Sequence, residues 1–334
     1  MAIPAIAEQM LMASRTHLAQ AYYDLAVLLD AGVPITRSLD MMIQGRTGHF
    51  KHVLSRVRES LSKGSDLSES LDEHPAVFPE LDRMLIEAAE TSGSLGDSFK
   101  MLSQWHEFIH RITRRMQMGL LYPVFILHIA ALVVGGPSLI LGRITVVQYL
   151  VQVVQILLLL YVPAIAIIVF MSLRERIPAV ALPLDFLVLR VPILGAAIYH
   201  LSVCRYAKTF AMMYKGGVPI TETTTRATRA TGNLIVARQF AGGIATVRAG
   251  GTAWEGFSRR LPAEYRDLWQ IGEETGELDK MVEKVAEIAA DRADLYFTQF
   301  AFWFLWLVYA GVAAIMIVMI FRMWGEVYGN LGAF

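Results

Sequence analysis

Two glutamates invite a chemical question first. Glu90 opens Glu90-Thr91-Ser92-Gly93-Ser94-Leu95, and Glu273 opens Glu273-Glu274-Thr275-Gly276-Glu277-Leu278. The shared pattern is Glu-x-x-Gly-x-Leu, with Gly93 and Gly276 placed to end a helix. A carboxylate one turn before a helix C-terminus faces the negative end of the macrodipole, so local preference does not put it there. Two roles remain open for the pair: an ion pair with an arginine of the same bundle, or contact with a partner. The histidines offer less. His106 and His110 are four apart and could share a metal on one helix face, but they lack the Cys or acidic company of a zinc site, and a solvated pair is the simpler reading. His128 lies in an apolar run, where an ionisable group is a functional candidate by default, yet one residue makes no proton relay and we read it as a neutral packing residue. Cys204 is the sole cysteine; it excludes an intramolecular disulfide and reads as a buried thiol. No Gly-x-x-x-x-Gly-Lys phosphate loop occurs, so nucleotide hydrolysis would have to belong to a partner. The expectation is a protein with no catalytic residues, no cofactor and no metal.

The elements that position the glutamates are themselves duplicated. Ala31-Gly32-Val33-Pro34-Ile35-Thr36 recurs as Gly216-Gly217-Val218-Pro219-Ile220-Thr221, and Phe78-Pro79 recurs as Leu261-Pro262. A Gly can close one helix in the left-handed conformation, and a Pro two residues on can open the next at its first position. Gly32, Pro34, Gly217 and Pro219 therefore predict a tight helix-helix corner in each copy, and the domain-length spacing marks a duplication. Around each corner, apolar residues recur at three and four: Leu18, Tyr22, Leu25 and Leu29 in the first copy, Tyr206, Phe210, Met213 and Tyr214 in the second. Neither copy contains a plausible strand run. Both are predicted to be all-α bundles, over 1–118 and 174–296.

Charge divides these bundles from the rest. The chain is formally neutral and 55% hydrophobic, which argues against a nucleic-acid partner. Outside the two bundles the only formal charges are Arg143, Arg322 and Glu326. The uncharged stretches 119–141, 146–173 and 297–321 are long enough to cross a hydrocarbon layer of about 30 Å and predict three transmembrane helices. Arg111, Arg114 and Arg115 precede the first, and Arg174 and Arg176 follow the second. The positive-inside rule then places both bundles and the N-terminus in the cytoplasm, and the short tail 322–334 on the periplasmic side. Gln148, Gln152 and Gln155 form a polar stripe on the second span that should face protein, and Ala310 with Ala314 gives small-xxx-small spacing in the third. Trp303 and Trp306 are candidates for interfacial anchoring or for packing between helices, of which we favour packing.

Taken together, the chain from about Tyr22 to Trp324 resembles the inner-membrane platform proteins of type II secretion systems and type IV pili, the secretion F and pilus C family. The resemblance rests on the paired corners, the paired Glu-x-x-Gly-x-Leu motifs, Tyr122-Pro123 at the head of the first span and Arg190-Val191-Pro192-Ile193-Leu194-Gly195 before the second bundle. It implies two homologous six-helix cytoplasmic bundles on a polytopic membrane protein, homo-oligomerisation, and work beside a hexameric assembly ATPase, pilins or pseudopilins and other inner-membrane components. The chain starts almost at the first bundle, and Gly135-Gly136-Pro137-Ser138 replaces the family's usual sequence after the first span. Short forms of this kind resemble the type IVb and conjugative-pilus branches. The alternative is a small transporter or permease subunit, which would more often carry several broken, polar-lined spans. A membrane-anchored sensor is a third reading, without a ligand domain to support it.

Overall fold

A computed structural model describes residues 3–134, 136–140, 142, 144–176 and 178–331, with side chains described for most of them. Arg143, and the side chains of Arg115, Arg174, Arg176 and Arg322 used above for orientation, lie outside the described residues. Every regular element among the described residues is helical. In order they are α1 (Ile3–Asp30), α2 (Ile35–Gln44), α3 (Gly48–Ser62), α4 (Leu67–Asp72), α5 (Glu80–Ser92), α6 (Leu95–Val134), α7 (Gly136–Ile140), α8 (Val146–Arg176), α9 (Pro178–Arg190), α10 (Leu194–Lys215), α11 (Ile220–Ala230), α12 (Leu234–Phe240), α13 (Gly242–Arg248), a 3-10 turn (Trp254–Gly256), α14 (Ala263–Thr275) and α15 (Leu278–Leu331). The duplication is visible in this order. The corner α1-α2 has its counterpart in α10-α11, α4 in the 3-10 turn, α5 in α14, and α6 in α15; α3 is matched by the broken pair α12 and α13.

The chain divides into two compact units. The first combines Met1–Thr113 with Ala197–Ala293, so both copies of the repeat lie within one unit. Leu18, Tyr22, Leu25, Leu39, Val57, Leu85, Ile86, Phe99 and Leu102 are buried in a continuous apolar cluster that also takes in Met212 and Met213 from α10. The core of the first repeat is thus completed by side chains of the second. The second repeat adds an aromatic nucleus. Tyr206 stacks on Phe240 with ring centroids 3.7 Å apart, and Phe257 and Phe210 meet Trp269 edge-on at 5.2 and 4.7 Å. Each such ring is worth about 2–3 kcal/mol in area removed from water.

Gly242 and Gly243, which the sequence suggests as helix punctuation, open α13 after the break that ends α12, and they have a second use. A Cβ on Gly242 would lie 2.0 Å from the Gly256 carbonyl oxygen, so α13 and the 3-10 turn approach backbone to backbone. Only glycine permits that contact.

The second unit combines Arg114–Ala196 with Asp294–Phe334. Charge places the bundle boundaries at 118, 174 and 296; the compact units divide at 113, 197 and 293. Among the described residues two helices are long and apolar enough to cross a membrane, over Leu95–Ile140 and Leu278–Val318. In α8 the shorter apolar run Val146–Leu158 is described, and the rest of the stretch 146–173 contains many side chains that are not. Large apolar side chains in this unit stand exposed, among them Phe125, Leu132, Val151, Trp303, Trp306 and Phe321. Trp303 and Trp306 are 60% and 57% exposed, contrary to the expected packing between helices. A surface of this composition is suited to lipid. Inside the unit, Ala131, Val134 and Val153 are buried. The close helix approach is at Gly119, where a Cβ would lie 3.2 Å from that of Ala301, whereas Ala310 and Ala314 are exposed.

Candidate functional site

The two corners share one geometry. Gly32 has φ +80° and Gly217 φ +79°, the left-handed region where a side chain is strained. The Val33 N–H donates to the Leu28 carbonyl at 2.9 Å and the Gly32 N–H to Leu29 at 2.8 Å. In the second copy Val218 donates to Met213 at 3.0 Å and Gly217 to Tyr214 at 3.1 Å. This paired pattern satisfies the orphan carbonyls at the helix end. Pro34 and Pro219 stand at the N-cap in extended conformation, so α2 and α11 begin at Ile35 and Ile220, one residue later than expected. The buried hydroxyls of Ser38 and Thr223 then reach back to the Val33 and Val218 carbonyls at 3.4 and 3.1 Å. Gly93 and Gly276 end α5 and α14 with φ +74° and +75°.

Those glycines fix the C-terminal turns that carry the glutamates, and the carboxylates do something the sequence did not suggest. In place of an arginine, each accepts backbone N–H groups at the start of another helix. Glu90 accepts from Leu67 N at 2.7 Å and Ser68 N at 3.1 Å, with the Ser68 hydroxyl adding a third bond at 2.9 Å. Glu273 accepts from Ala253 N at 2.8 Å and Trp254 N at 3.0 Å. The first N–H groups of a helix lack internal partners, and a side chain at the N-cap normally supplies them. Asp66, at the N-cap of α4, makes no such bond, and Ala253, before the 3-10 turn, has no side-chain acceptor. Each glutamate is a cap delivered from a distant helix, placed where a negative charge meets the positive end of a dipole. Burial pushes the Glu273 carboxyl above its ordinary range; the two backbone N–H groups oppose this, and neighbouring Glu255 reinforces it.

Further polar groups are buried in the same unit. His106, read above as solvated, is 4% exposed; its Nε2 lies 2.6 Å from the Asp82 carboxylate, which also accepts from the Tyr22 hydroxyl at 2.9 Å. Two paired polar groups in a core satisfy one another, and the bond of His106 is to Asp82 on α5. Burial and then the Asp82 charge raise the Tyr22 hydroxyl well above its ordinary range. In the second repeat His200 Nδ1 meets the Tyr265 hydroxyl at 2.9 Å. Tyr265 stands at the same offset from Glu273 as Asp82 does from Glu90. Lys208 and Lys215 on α10 both reach Glu283 on α15, at 3.2 and 2.6 Å. Cys204 is buried, and desolvation pushes its thiol up to about 12. Among the described residues no group of three His, Cys, Asp or Glu is placed to hold a metal ion.

In the second unit His128 is bound on both nitrogens, Nδ1 2.7 Å from the Val124 carbonyl and Nε2 2.8 Å from the Tyr161 hydroxyl. Because a carbonyl only accepts, Nδ1 carries a proton, and Nε2 pairs with the Tyr161 hydroxyl. Tyr149 donates to the Leu132 carbonyl at 2.6 Å, a second tie between α8 and α6, and the Tyr122 and Tyr309 hydroxyls meet at 3.1 Å between α6 and α15. The glutamine stripe does not act as a unit. Gln148 accepts from Thr145 N at 2.9 Å while its own N–H donates to the Thr145 hydroxyl, a reciprocal cap at the start of α8. Gln152 is half-buried and Gln155 is exposed.

Paired glycine corners, paired glutamate caps and long apolar helices in duplicate define a family. The model of the family described as "Type II secretion system (T2SS), protein F" matches residues 21–141 and 206–323, one segment for each repeat. The chain belongs to the type II secretion system protein F family. It is 28% identical over 294 residues to "Type II secretion system protein F" of Pseudomonas aeruginosa, covering 82% of this chain and 72% of that protein. It is 26% identical over 297 residues to "Type IV pilus assembly protein PilC" of the same organism, covering 81% and 78%. Myxococcus xanthus has a PilC 23% identical over 303 residues, covering 80% and 69%. The two family segments begin just before the corners and end beyond the apolar part of α6 and α15, so the family unit is the repeat together with its long helix.

Proposed function

We propose that the protein is an inner-membrane platform of a type IV pilus or type II secretion machine, with no catalytic activity of its own. In this reading both repeats are cytoplasmic, the stretches 119–141, 146–173 and 297–321 cross the bilayer, and 322–334 is periplasmic. A cytoplasmic hexameric assembly ATPase acts on the repeats, and the spans transmit its displacement to pilins or pseudopilins entering or leaving the membrane. Homo-oligomerisation and contact with other inner-membrane components complete the assignment. One observation supports it above the others: each repeat ends in a single helix, α6 or α15, that begins in a charged stretch of sequence and becomes apolar enough to cross a membrane. In this reading each such helix carries the displacement from its repeat to its span. The glutamate caps serve this role by holding α4 and the 3-10 turn against the helices that precede α6 and α15.

The intact membrane complex, isolated through a tag on the full chain, should contain an assembly ATPase and pilin-like subunits. Nucleotide turnover should leave with the ATPase when that subunit is stripped. A complex without either component, or turnover abolished by a substitution in this chain after the ATPase has been removed, would sink the assignment.

A further inference from the structure

Along one side of the exposed surface of α8, which also holds Val147, Leu150 and Val154, the side chains beyond the cap residue Gln148 are regularly spaced. Gln148, Val151, Gln155, Leu158, Val162, Ile165 and Val169 follow one another at alternating steps of three and four, and all seven are exposed. The opposite face, with Tyr149, Val153 and Tyr161, meets α6 through the bonds of Tyr149 and Tyr161. Steps of three and four sustained over three heptads are the signature of a left-handed helix pair. Gln148, Gln155, Val162 and Val169 occupy the a positions; Val151, Leu158 and Ile165 occupy the d positions. Of the two amides at a positions, Gln148 is already bonded to Thr145; branched Val162 and Val169 with the one remaining amide, Gln155, favour two parallel strands in a fixed register.

We propose that α8 pairs with α8 of a second copy along this seam, with Gln155 bonded to Gln155 of the second copy. This rests on the reading of α8 as a membrane span. Gln155 lies one heptad beyond Gln148, about 10 Å further along the axis, and among the described residues its amide makes no hydrogen bond. A carboxamide in hydrocarbon needs a donor and an acceptor, and an identical carboxamide across a two-fold axis supplies both. Copies inserted in one membrane share an orientation, so their α8 helices run parallel and bring a to a and d to d. Seven side chains about half exposed offer on the order of 500 Å² per copy, below the roughly 800 Å² per partner of a standard soluble interface. Apolar area alone is therefore marginal, and the amide pair selects the partner.

The test uses the full chain, with Cys204→Ala as background, in a host without other secretion or pilus components. Single cysteines replace Val151, Gln155, Leu158 or Val162 on the seam, Val153 on the α6 face, and exposed Trp303 on α15. Mild oxidation of native membranes should give disulfide-linked dimers from the seam positions and not from Val153 or Trp303. Gln155→Leu should weaken association three- to tenfold in the Val151→Cys chain, the loss of about one interhelical hydrogen bond, and Gln155→Asn should restore it. Equal dimer at Trp303, no dimer on the seam, or indifference to Gln155→Leu overturns the proposal. Cross-links to a smaller protein that form only when the machine components are supplied also overturn it, by giving the seam to a partner helix. The same cysteines, treated with a membrane-impermeant thiol reagent, report separately on the span: reaction at Val151 to Val162 would defeat the span itself.

Discussion

At the scale of residues, Glu273 and Glu90 are half-buried and bonded to backbone, so they make a prediction larger than a surface carboxylate would. A carboxylate at the surface contributes less than about 1 kcal/mol, but each of these satisfies backbone donors that have no other acceptor. Glu273→Ala should lower stability by about 1–3 kcal/mol, and Glu273→Gln, which keeps one acceptor oxygen, by less. Thermal melting of the purified full chain reads this. An unchanged melting curve with lost pilus or secretion function would move Glu273 from capping to partner contact. Gly217 isolates a different energy. A Cβ there meets nothing within 4 Å, so Gly217→Ala tests backbone strain alone, and Gly217→Val adds the cost of a β-branched side chain. The expected loss is about 1–2 kcal/mol, with Gly217→Asn milder because Asn tolerates the left-handed region. His200 sets a pH dependence. Burial, with Arg292 nearby, holds its ring down to about 4, against 6.5 for an unperturbed histidine. As pH falls from 6.5 towards 4 the unfolded chain binds a proton that the folded one refuses. Stability should therefore drop through that window, by at most about 3 kcal/mol, and level below it. Urea midpoints of wild type and His200→Gln at pH 7, 6 and 5 should converge as the pH falls, and parallel curves would refute the assignment.

At the scale of elements, what the sequence disclosed and what it hid follow one rule. Gly32, Gly93, Gly217 and Gly276 encode their own backbone geometry, so the corners were legible in the residues that form them. The apolar helices were legible because the absence of charge over a long stretch is a local property. The partners of Glu90 are more than twenty residues away, and those of Glu273 nearly as far, on backbone atoms that every residue possesses. No side-chain pattern announces them. His106 was misjudged for the same reason: Asp82, which buries with it, lies on α5, while the nearest histidine in sequence, His110, is on α6 itself. Between the apolar parts of α6 and α15 the close approach is at Gly119 and Ala301, while Ala310 and Ala314 are exposed. The orientation of these elements is open to a direct test. A reporter active only outside the cytoplasm should work when fused after Phe334 and stay silent when inserted after Gly64 or Gly250. Activity at Gly64 would invert the topology.

For the whole molecule, the consequential fact is that the two repeats share a core. Met213 of the second repeat is buried among Leu85, Ile86 and Phe99 of the first. Met213→Ala should cost about 2–5 kcal/mol, and the damage should cross the duplication. Hydrogen exchange should accelerate in α5 as well as in α10, whereas repeats that merely touched would confine it to α10. A shared core also makes either repeat a poor candidate for isolation, since each would expose apolar surface that the other now covers.

The burial of Cys204 gives the protein a built-in gauge of its own breathing. A thiol 1% exposed, its ionisation pushed up to about 12, reacts with a labelling reagent only when α10 lifts from its neighbours. With a single sulfhydryl in the chain, every labelled molecule reports the same opening event. If opening and closing are fast, the labelling rate divided by that of a free thiol is the open fraction at equilibrium. Measured in native membranes, that ratio would show how often the shared core parts, and whether the load of an engaged machine parts it more often.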